Sequence, residues 1–135
     1  MSTKTQIHSD HAPAPVAAYS QGVRKGPIVQ ISGQVAVNPD TGQVVHLGDV
    51  AGQTTQALKN IHAAIRAGGA TFDDVVMLRV YLTTRNDFTA MNDAYAEFVK
   101  ANTTSGVLPA RTTVITGLPG DGLLVEIDAL AIIDD

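Results

Sequence analysis

The chain has 135 residues, of which 44% are hydrophobic, and this length and composition fit one folded domain and exclude a disordered chain. Nine basic and thirteen acidic residues give a net charge of −4 without a strong basic cluster, so we expect no nucleic acid as the main partner. There is no cysteine, which excludes disulfides, thiolate catalysis and zinc–thiolate sites.

The first residues of the chain are polar, and Pro13 and Pro15 predict an extended N-terminal arm over residues 1–13 rather than a helix. The arm lacks the apolar core of a signal peptide, and no later stretch has the length of a membrane span. We therefore expect a cytoplasmic protein without a membrane partner. No linker or internal repeat divides residues 1–135, so they are predicted to form a single domain.

Hydrophobic periodicity predicts five strands and two helices in the order β-β-α-β-α-β-β. Asp49 is the candidate N-cap of the first helix, and Gly68 and Gly69 mark its end. Asn86 or Asp87 is expected to cap the second helix. The predicted strands are residues 19–25, 28–32, 75–83, 111–116 and 123–133, and the predicted helices are residues 49–67 and 87–101.

This order of elements predicts an α+β fold in which one mixed sheet carries both helices on one face. Both sets of alternate positions in strand 75–83 are largely apolar, so we expect both of its faces to be covered. Glycines and a proline in residues 117–122 predict a hairpin-type connection between the last two strands. The sheet face away from the helices still carries Val, Leu, Ile and Ala, which predicts an oligomer.

Arg111 is the most informative single residue, because it follows Pro109 where a loop enters a predicted strand. Loops and strand ends carry sites more often than strand centres do, and arginine grips planar anions by paired hydrogen bonds. Glu126 lies fifteen residues later in an apolar run, where a carboxylate is a candidate proton carrier. Together they suggest a pocket that holds a small carboxylic acid and manages water beside it.

Both residues also have a structural interpretation. An arginine considered alone is more often a surface or salt-bridged residue than a site residue. Glu126 and Asp128 point to the same side of a strand, which is often a solvated side, although Leu124 and Leu130 share it and argue against full exposure. Spacing does not fix the strand register, so whether Arg111 meets Glu126 stays open.

The sequence contains no pattern of a metal or nucleotide site. The histidines do not have the spacing of metal ligands, and no carboxylate pattern completes a site with them. No Ser-His-Asp set, phosphate-binding loop or dinucleotide motif is recognisable, so we expect no metal. The four histidines are His8, His11, His46 and His62.

Six motifs in order resemble the Rid (reactive intermediate deaminase, YjgF) family, and specifically its RidA subgroup, over about residues 14–132. Each motif is weak alone, but their order and spacing make the similarity strong. The motifs are Ala18-Tyr19-Ser20-Gln21-Gly22-Val23, Ile31-Ser32-Gly33-Gln34-Val35, Val37-Asn38-Pro39-Asp40-Thr41-Gly42, Met91-Asn92-Asp93-Ala94-Tyr95, Pro109-Ala110-Arg111-Thr112-Thr113-Val114 and Val125-Glu126-Ile127-Asp128-Ala129.

The resemblance implies a single Rid-family domain with a chorismate-mutase-like fold, assembled as a homotrimer. Three sheets would pack their open faces together, and the active sites would lie in clefts between subunits. The implied reaction is hydrolysis of 2-imino acids of the 2-iminobutanoate and 2-iminopropanoate type, and of their enamine tautomers, to 2-oxo acids and ammonia. The resemblance implies no cofactor and no metal for this reaction.

The resemblance also implies roles for particular residues. Arg111 would bind the substrate carboxylate, and Glu126 would position and activate the attacking water. The remaining substrate-binding residues would be Tyr19, Ser32, Gly33, Asn92 and Thr113, with Gly33 and Thr113 acting through their backbones. Thr113 stands where many relatives have cysteine, and Ala18 where many have proline, so the substrate range stays open.

Three other functions remain compatible with the same residues. A pathway-specific deaminase would act on a larger enamine. An endoribonuclease or translation inhibitor is a role also associated with the family, but the acidic composition disfavours it. A non-catalytic metabolite-binding or chaperone-like protein would use the same pocket to hold a 2-oxo acid without turnover.

Overall fold

A computed structural model of the protein describes residues 3–134. Within these residues, six strands form one mixed sheet, and two α-helices pack on one of its faces. The strands are β1 (Thr5–Ile7), β2 (Gly22–Lys25), β3 (Ile28–Gln34), β4 (Val75–Leu82), β5 (Ala110–Ile115) and β6 (Val125–Ile132), and the helices are α1 (Val50–Ala67) and α2 (Phe88–Asn102). The predicted α+β class is therefore confirmed.

The strand order in the sheet is β1-β2-β3-β6-β4-β5. β5 pairs in parallel with β4, and the other neighbouring strands are antiparallel. The hairpin predicted between the last two strands is wrong, because β4 lies between β5 and β6. Glycine and proline in that connection mark a turn, but turn residues do not decide which strand lies beside which.

The hydrophobic core lies between the sheet and the helices. Leu78 and Val80 of β4 and Ile127 of β6 are fully buried there, together with Leu58 and Ile61 of α1. The alternate residues of β4 and β6 point to the other face of the sheet, which carries no helix and is called the open face below. The prediction that both faces of strand 75–83 are covered is therefore wrong within one chain.

Helix α1 begins and ends at the predicted residues. The Asp49 carboxylate accepts a hydrogen bond from the Gly52 N–H at 3.1 Å, which satisfies one of the free donors of the first turn. At the other end, the Gly68 N–H donates to the Ala64 carbonyl, and Gly69 follows with a φ of 87°, which suits glycine. Asp87 stands at the N-cap of α2 but makes no capping hydrogen bond with its side chain.

The segment predicted as an N-terminal arm contains β1 and is attached to the sheet. β1 pairs with β2 in antiparallel register. The buried Gln21 side chain accepts a hydrogen bond from the Ser9 N–H at 2.7 Å and donates to the carbonyls of Ser9, Ala12 and Pro13. Backbone groups of the arm are thereby paired although the arm forms little regular structure. Among residues 3–134, no helix has the length and apolar character needed to cross a membrane.

Candidate active site

The side chain of Arg111 lies against helix α2. Arg111 is paired with Leu78 across the β5–β4 register, so it points to the face of the sheet that carries the helices. Its Nη1 donates a hydrogen bond to Oδ1 of Asn92 at 2.9 Å. Its Cζ lies 4.7 Å from the ring centroid of Tyr95 and 5.8 Å from that of Phe88. The amide and the two rings therefore hold the guanidinium in place.

No carboxylate of residues 3–134 forms an ion pair with Arg111. The structural interpretation of this residue as a salt-bridged arginine therefore finds no partner in the described chain. A guanidinium has five N–H donors, and the bond to Asn92 uses one of them. The other donors are available for a planar anion such as a carboxylate.

Two hydroxyl groups lie on the same side of the sheet as Arg111. Thr113 is paired with Val80, and Tyr95 is 8% exposed on α2. Both hydroxyl oxygens are buried and have no hydrogen-bond partner among the described residues. Burial raises the pKa of Tyr95, while the neighbouring Arg111 acts in the opposite direction. Tyr95 therefore stays neutral at pH 7 and presents an uncharged ring to the guanidinium.

The carboxylate of Glu126 lies on the open face, beside the backbone of β3. A Cβ atom added to Gly33 would lie 2.5 Å from Oε2 of Glu126, so the carboxylate occupies the space that a side chain at position 33 would need. Gly33 falls within the irregular register between Ile31 and Gln34. Burial raises the pKa of Glu126, and the nearby Asp128 carboxylate raises it further. A carboxyl group whose pKa is raised in this way is a candidate proton carrier.

Asp128 shares the open face with Glu126, as their spacing predicted. It is engaged by two donors from β4: Nε of Arg79 donates to Oδ1 at 2.7 Å, and the Tyr81 hydroxyl donates to Oδ2 at 2.8 Å. Glu126 receives no hydrogen bond from the described residues. Of the two carboxylates of β6, Asp128 is therefore held by hydrogen bonds within the described part of the chain, whereas Glu126 is free to bond a ligand or water.

Ser32 belongs to β3 beside Gly33, and Tyr19 lies near the same part of the strand. The Ser32 hydroxyl donates to the Ser20 carbonyl at 2.6 Å, which fixes the segment that leads into β2. Tyr19 is half exposed and lines a largely apolar pocket of about 330 Å³ together with Gly33 and Val35. The pocket adjoins Glu126, because Gly33 belongs to its wall and the carboxylate occupies the place of the side chain that Gly33 lacks.

The structure answers whether Arg111 and Glu126 meet within one chain. Arg111 is paired with Leu78 and Glu126 with Tyr81, and these two positions of β4 point to opposite faces. Arg111, Asn92 and Thr113 are thus on the helix side, whereas Gly33 and Glu126 lie together on the open side. A single chain does not bring the two groups into one pocket.

Several site features were not predicted from the sequence. The rings of Phe88 and Tyr95 lie beside Arg111 because of the way α2 packs beside β5, which local sequence patterns do not specify. The helical spacing of Asn92 and Tyr95 is a signal that could have placed both beside one ligand. Among residues 3–134, no three histidine or acidic side chains converge as a metal site requires.

The chain is similar to known proteins over almost its whole length. A sequence model of the family described as endoribonuclease L-PSP matches residues 9–133. The chain belongs to this family, which is the Rid or YjgF family. A relative named 2-iminobutanoate/2-iminopropanoate deaminase, from Dermatophagoides farinae, is 36% identical over 135 residues, which cover 99% of this chain and 100% of that protein.

Solved structures of the family have the same fold. The crystal structure of the E. coli YjgF gene product has a TM-score of 0.87 at 35% identity and covers 95% of this chain and 98% of that chain. E. coli TdcF, whose crystal structure contains bound serine, has a TM-score of 0.89 at 31% identity, with 96% and 99% covered. The chorismate-mutase-like fold implied by the sequence motifs is therefore confirmed.

Proposed function

We propose that this chain is a deaminase of the RidA type, which hydrolyses 2-imino acids such as 2-iminobutanoate and 2-iminopropanoate, and their enamine tautomers, to 2-oxo acids and ammonia. The proposal rests on two side chains. Arg111 is a cation that has no carboxylate partner among residues 3–134, and Glu126 is a half-buried carboxylate with a raised pKa. Two relatives support a small carboxylic acid as the substrate. One is named 2-iminobutanoate/2-iminopropanoate deaminase, and the other, TdcF, has serine bound in its crystal structure.

Arg111 is the proposed anchor for the substrate carboxylate. The bond to Asn92 and the rings of Tyr95 and Phe88 orient the guanidinium before a ligand arrives, which lowers the entropic cost of binding. Its remaining N–H groups match the two oxygens of a carboxylate. Lysine at this position would keep the charge but lose the planar geometry.

Glu126 is the proposed proton carrier. As a water oxygen attacks the carbon of the protonated imine, Glu126 takes one water proton and the C–O bond forms. Glu126 then returns the proton to the amino group of this addition product, and the C–N bond breaks. The hydroxyl group gives its proton to Glu126, which passes it to the leaving ammonia, so the products are the 2-oxo acid and ammonium. Because an imine is already electrophilic, orientation and one proton carrier suffice, and no cofactor or metal enters the proposal.

The proposed site is built from two chains. Arg111, Asn92 and Thr113 lie on the opposite side of the sheet from Gly33 and Glu126, so one substrate reaches both groups only if two copies contribute. β5 is an edge strand paired only with β4, which leaves alternate backbone groups, including groups at or near Thr113, for a ligand or a second copy. We propose a homotrimer that joins open faces and forms three such clefts.

Coupled turnover tests the proposal. Threonine dehydratase in excess supplies 2-iminobutanoate, and release of 2-oxobutanoate is followed by NADH oxidation with lactate dehydrogenase. We expect the wild-type chain to accelerate release above the spontaneous rate. Loss of a charged contact in a cleft costs about 2–5 kcal/mol, so Arg111→Ala should lower kcat/KM by at least about 30-fold.

Arg85→Ala is the matched control, because Arg85 is an exposed arginine outside the proposed site. It should leave turnover unchanged. A wild-type rate equal to that of the dehydratase alone would contradict the proposed function, and so would full activity in Arg111→Ala.

Ribonuclease activity is the second candidate, because the matching family model is described as endoribonuclease L-PSP. The net charge of −4 disfavours binding to a phosphate backbone. Cleavage of a labelled RNA by wild type and Arg111→Ala at 50 and 200 mM salt distinguishes the two functions. RNA cleavage that is lost in Arg111→Ala, without any imine turnover, would replace the deaminase proposal.

A further inference from the structure

Two carboxylates on one strand have different surroundings on the open face of the sheet. Glu126 and Asp128 are two positions apart on β6, and both belong to the open face. Both oxygens of Asp128 accept hydrogen bonds from β4, whereas the Glu126 carboxylate occupies the space that a side chain at position 33 would need. Pairs of titratable groups whose environments differ in this way often divide the work of acid–base catalysis.

We propose that Arg79 and Tyr81 are positioning residues: they fix Asp128 beside Glu126 and so set the pH at which Glu126 exchanges its proton. The assignment of Glu126 as the catalytic proton carrier rests on the proposed function. The positioning itself rests only on the contacts of these four side chains.

The strand register places the four residues in a compact square. Arg79 is the direct cross-strand partner of Asp128, and Tyr81 is the direct partner of Glu126. The Tyr81 hydroxyl nevertheless bonds Asp128, its diagonal neighbour, at 2.8 Å. Diagonal neighbours on a sheet face are within reach of long aromatic side chains. Tyr81 therefore lies beside Glu126 while its hydroxyl is used by Asp128.

The charges that face Glu126 come from two strands. On β6 this group is Asp128, and on β4 the groups are Tyr81 and, one position further, Arg79. β3 faces Glu126 from the other side and has no titratable side chain between residues 28 and 34. In the proposed two-chain site, Arg111 of a second copy also faces Glu126, and the variants below leave it in place.

Arg79 and Asp128 act on Glu126 in opposite directions. Burial is the larger cause of the raised pKa of Glu126, and the Asp128 carboxylate is the second cause because it disfavours another negative charge beside it. The Arg79 guanidinium, 2.7 Å from Asp128, offsets that charge. Removal of Arg79 should therefore make Glu126 harder to ionise, and removal of the Asp128 charge should make it easier.

Titration of the Glu126 carboxyl carbon by ¹³C NMR tests the proposal without any substrate. In Arg79→Gln the midpoint should move up by about 0.5 to 1 pH unit, and in Asp128→Asn it should move down by a similar amount. Arg79→Lys retains the charge and should keep the midpoint within about 0.3 pH unit of wild type. Tyr81→Phe keeps the charges of Arg79 and Asp128 but removes one hydrogen bond to the Asp128 carboxylate. The midpoint of Glu126 should therefore move up by less than in Arg79→Gln.

Lys25→Gln is the matched control for lost positive charge. Lys25 is an exposed residue of β2, and through Ile28 it aligns with Ile132, six positions along β6 from Glu126. At about 3.3 Å per residue this is roughly 20 Å along the strand, beyond the screening length at physiological salt. The Glu126 midpoint should therefore be unchanged in this variant.

Shifts of the same sign in Arg79→Gln and Asp128→Asn, or shifts no larger than in Lys25→Gln, would overturn the proposal. If Arg79→Gln does not fold, Asp128→Asn decides alone, because an unchanged or higher midpoint contradicts the argument. The acid limb of kcat/KM for 2-iminobutanoate should follow the NMR midpoints. If the NMR midpoints shift but the kinetic limb does not, Arg79 and Tyr81 do not set the pH of catalysis. If wild type has no turnover, the proposed function is refuted, and the NMR titration alone decides whether the two residues position Asp128.

Discussion

Gly33→Ala isolates the position of the Glu126 carboxylate from the stability of the fold. A Cβ at this position would lie 2.5 Å from Oε2, 2.8 Å from Cδ and 3.1 Å from Cγ of Glu126. The side chain of Glu126 must therefore retreat by about 1 Å, and a misplacement of this size costs about 100-fold in rate. The backbone of Gly33 does not have a positive φ, so alanine introduces no backbone strain.

The fold itself should tolerate the added methyl group. The displaced atoms belong to the end of a flexible side chain, and alanine lowers the entropy of the unfolded chain by an amount worth about 0.4–1 kcal/mol. We therefore expect kcat/KM for 2-iminobutanoate to fall by about 100-fold, while the free energy of unfolding changes by less than about 1 kcal/mol.

Gly117→Ala is the matched control, because a Cβ there meets no atom within 4 Å. It should leave both turnover and stability close to wild type. Turnover is measured with the dehydratase-coupled assay, and stability by urea unfolding followed by circular dichroism. A Gly33→Ala variant that keeps kcat/KM within threefold of wild type would refute the role of the Glu126 carboxylate at this position.

Three further substitutions test the surroundings of the two charged groups. Glu126→Gln should abolish turnover, and it should raise the melting temperature at pH 7 but not at pH 4. Burial and the Asp128 charge raise the pKa of Glu126 in the folded protein. The protonated carboxyl therefore stabilises the fold fully below its unfolded pKa of about 4.3, and this contribution is lost as the pH rises through the folded pKa. Thermal unfolding at both pH values checks the sign, and equal effects would contradict it. Asn92→Ala should raise KM more than it lowers kcat, because Arg111 loses its orienting bond, and a pure kcat effect in steady-state kinetics would count against this role. Tyr95→Phe removes a buried hydroxyl that has no hydrogen-bond partner in the described part of the chain, so the free energy of unfolding from urea denaturation should equal or exceed that of wild type. A loss of more than about 1 kcal/mol would show a hidden partner.

The parts of the fold that depend on local signals could be predicted from the sequence. The carboxylate of Asp49 and the glycines after Ala67 define α1 by capping chemistry that acts within one turn of helix. Strand pairing was not predictable in the same way. The connection between β5 and β6 carries turn residues, yet β6 does not pair with β5. β6 lies between β3 and β4, so β4 separates it from β5.

β1 was also missed, because three residues of strand do not give a hydrophobic period. Thr5–Ile7 is held instead by pairing with β2 and by contacts of a single distant side chain, Gln21, with the following residues. Such long-range hydrogen bonds leave no local pattern in the sequence of the strand that they stabilise.

For the candidate site, residue type and motif selected Arg111 and Glu126, but their faces depended on register. A shift of one residue reverses the face of every side chain in a strand, and the irregularity between Ile31 and Gln34 moves Gly33 against Glu126. The sequence therefore selected two candidate residues, and the register shows that one chain holds them apart. That separation leads to the proposal of a site between two chains.

Complementation between two inactive variants tests this central proposal most directly. Arg111→Ala retains Glu126, and Glu126→Gln retains Arg111, so a cleft formed by one chain of each kind has both groups. In co-expressed, randomly assembled oligomers, about a quarter of the clefts should be intact, and imine turnover should return to about a quarter of the wild-type rate. Mixed oligomers that remain as inactive as either variant alone would contradict a site shared between chains.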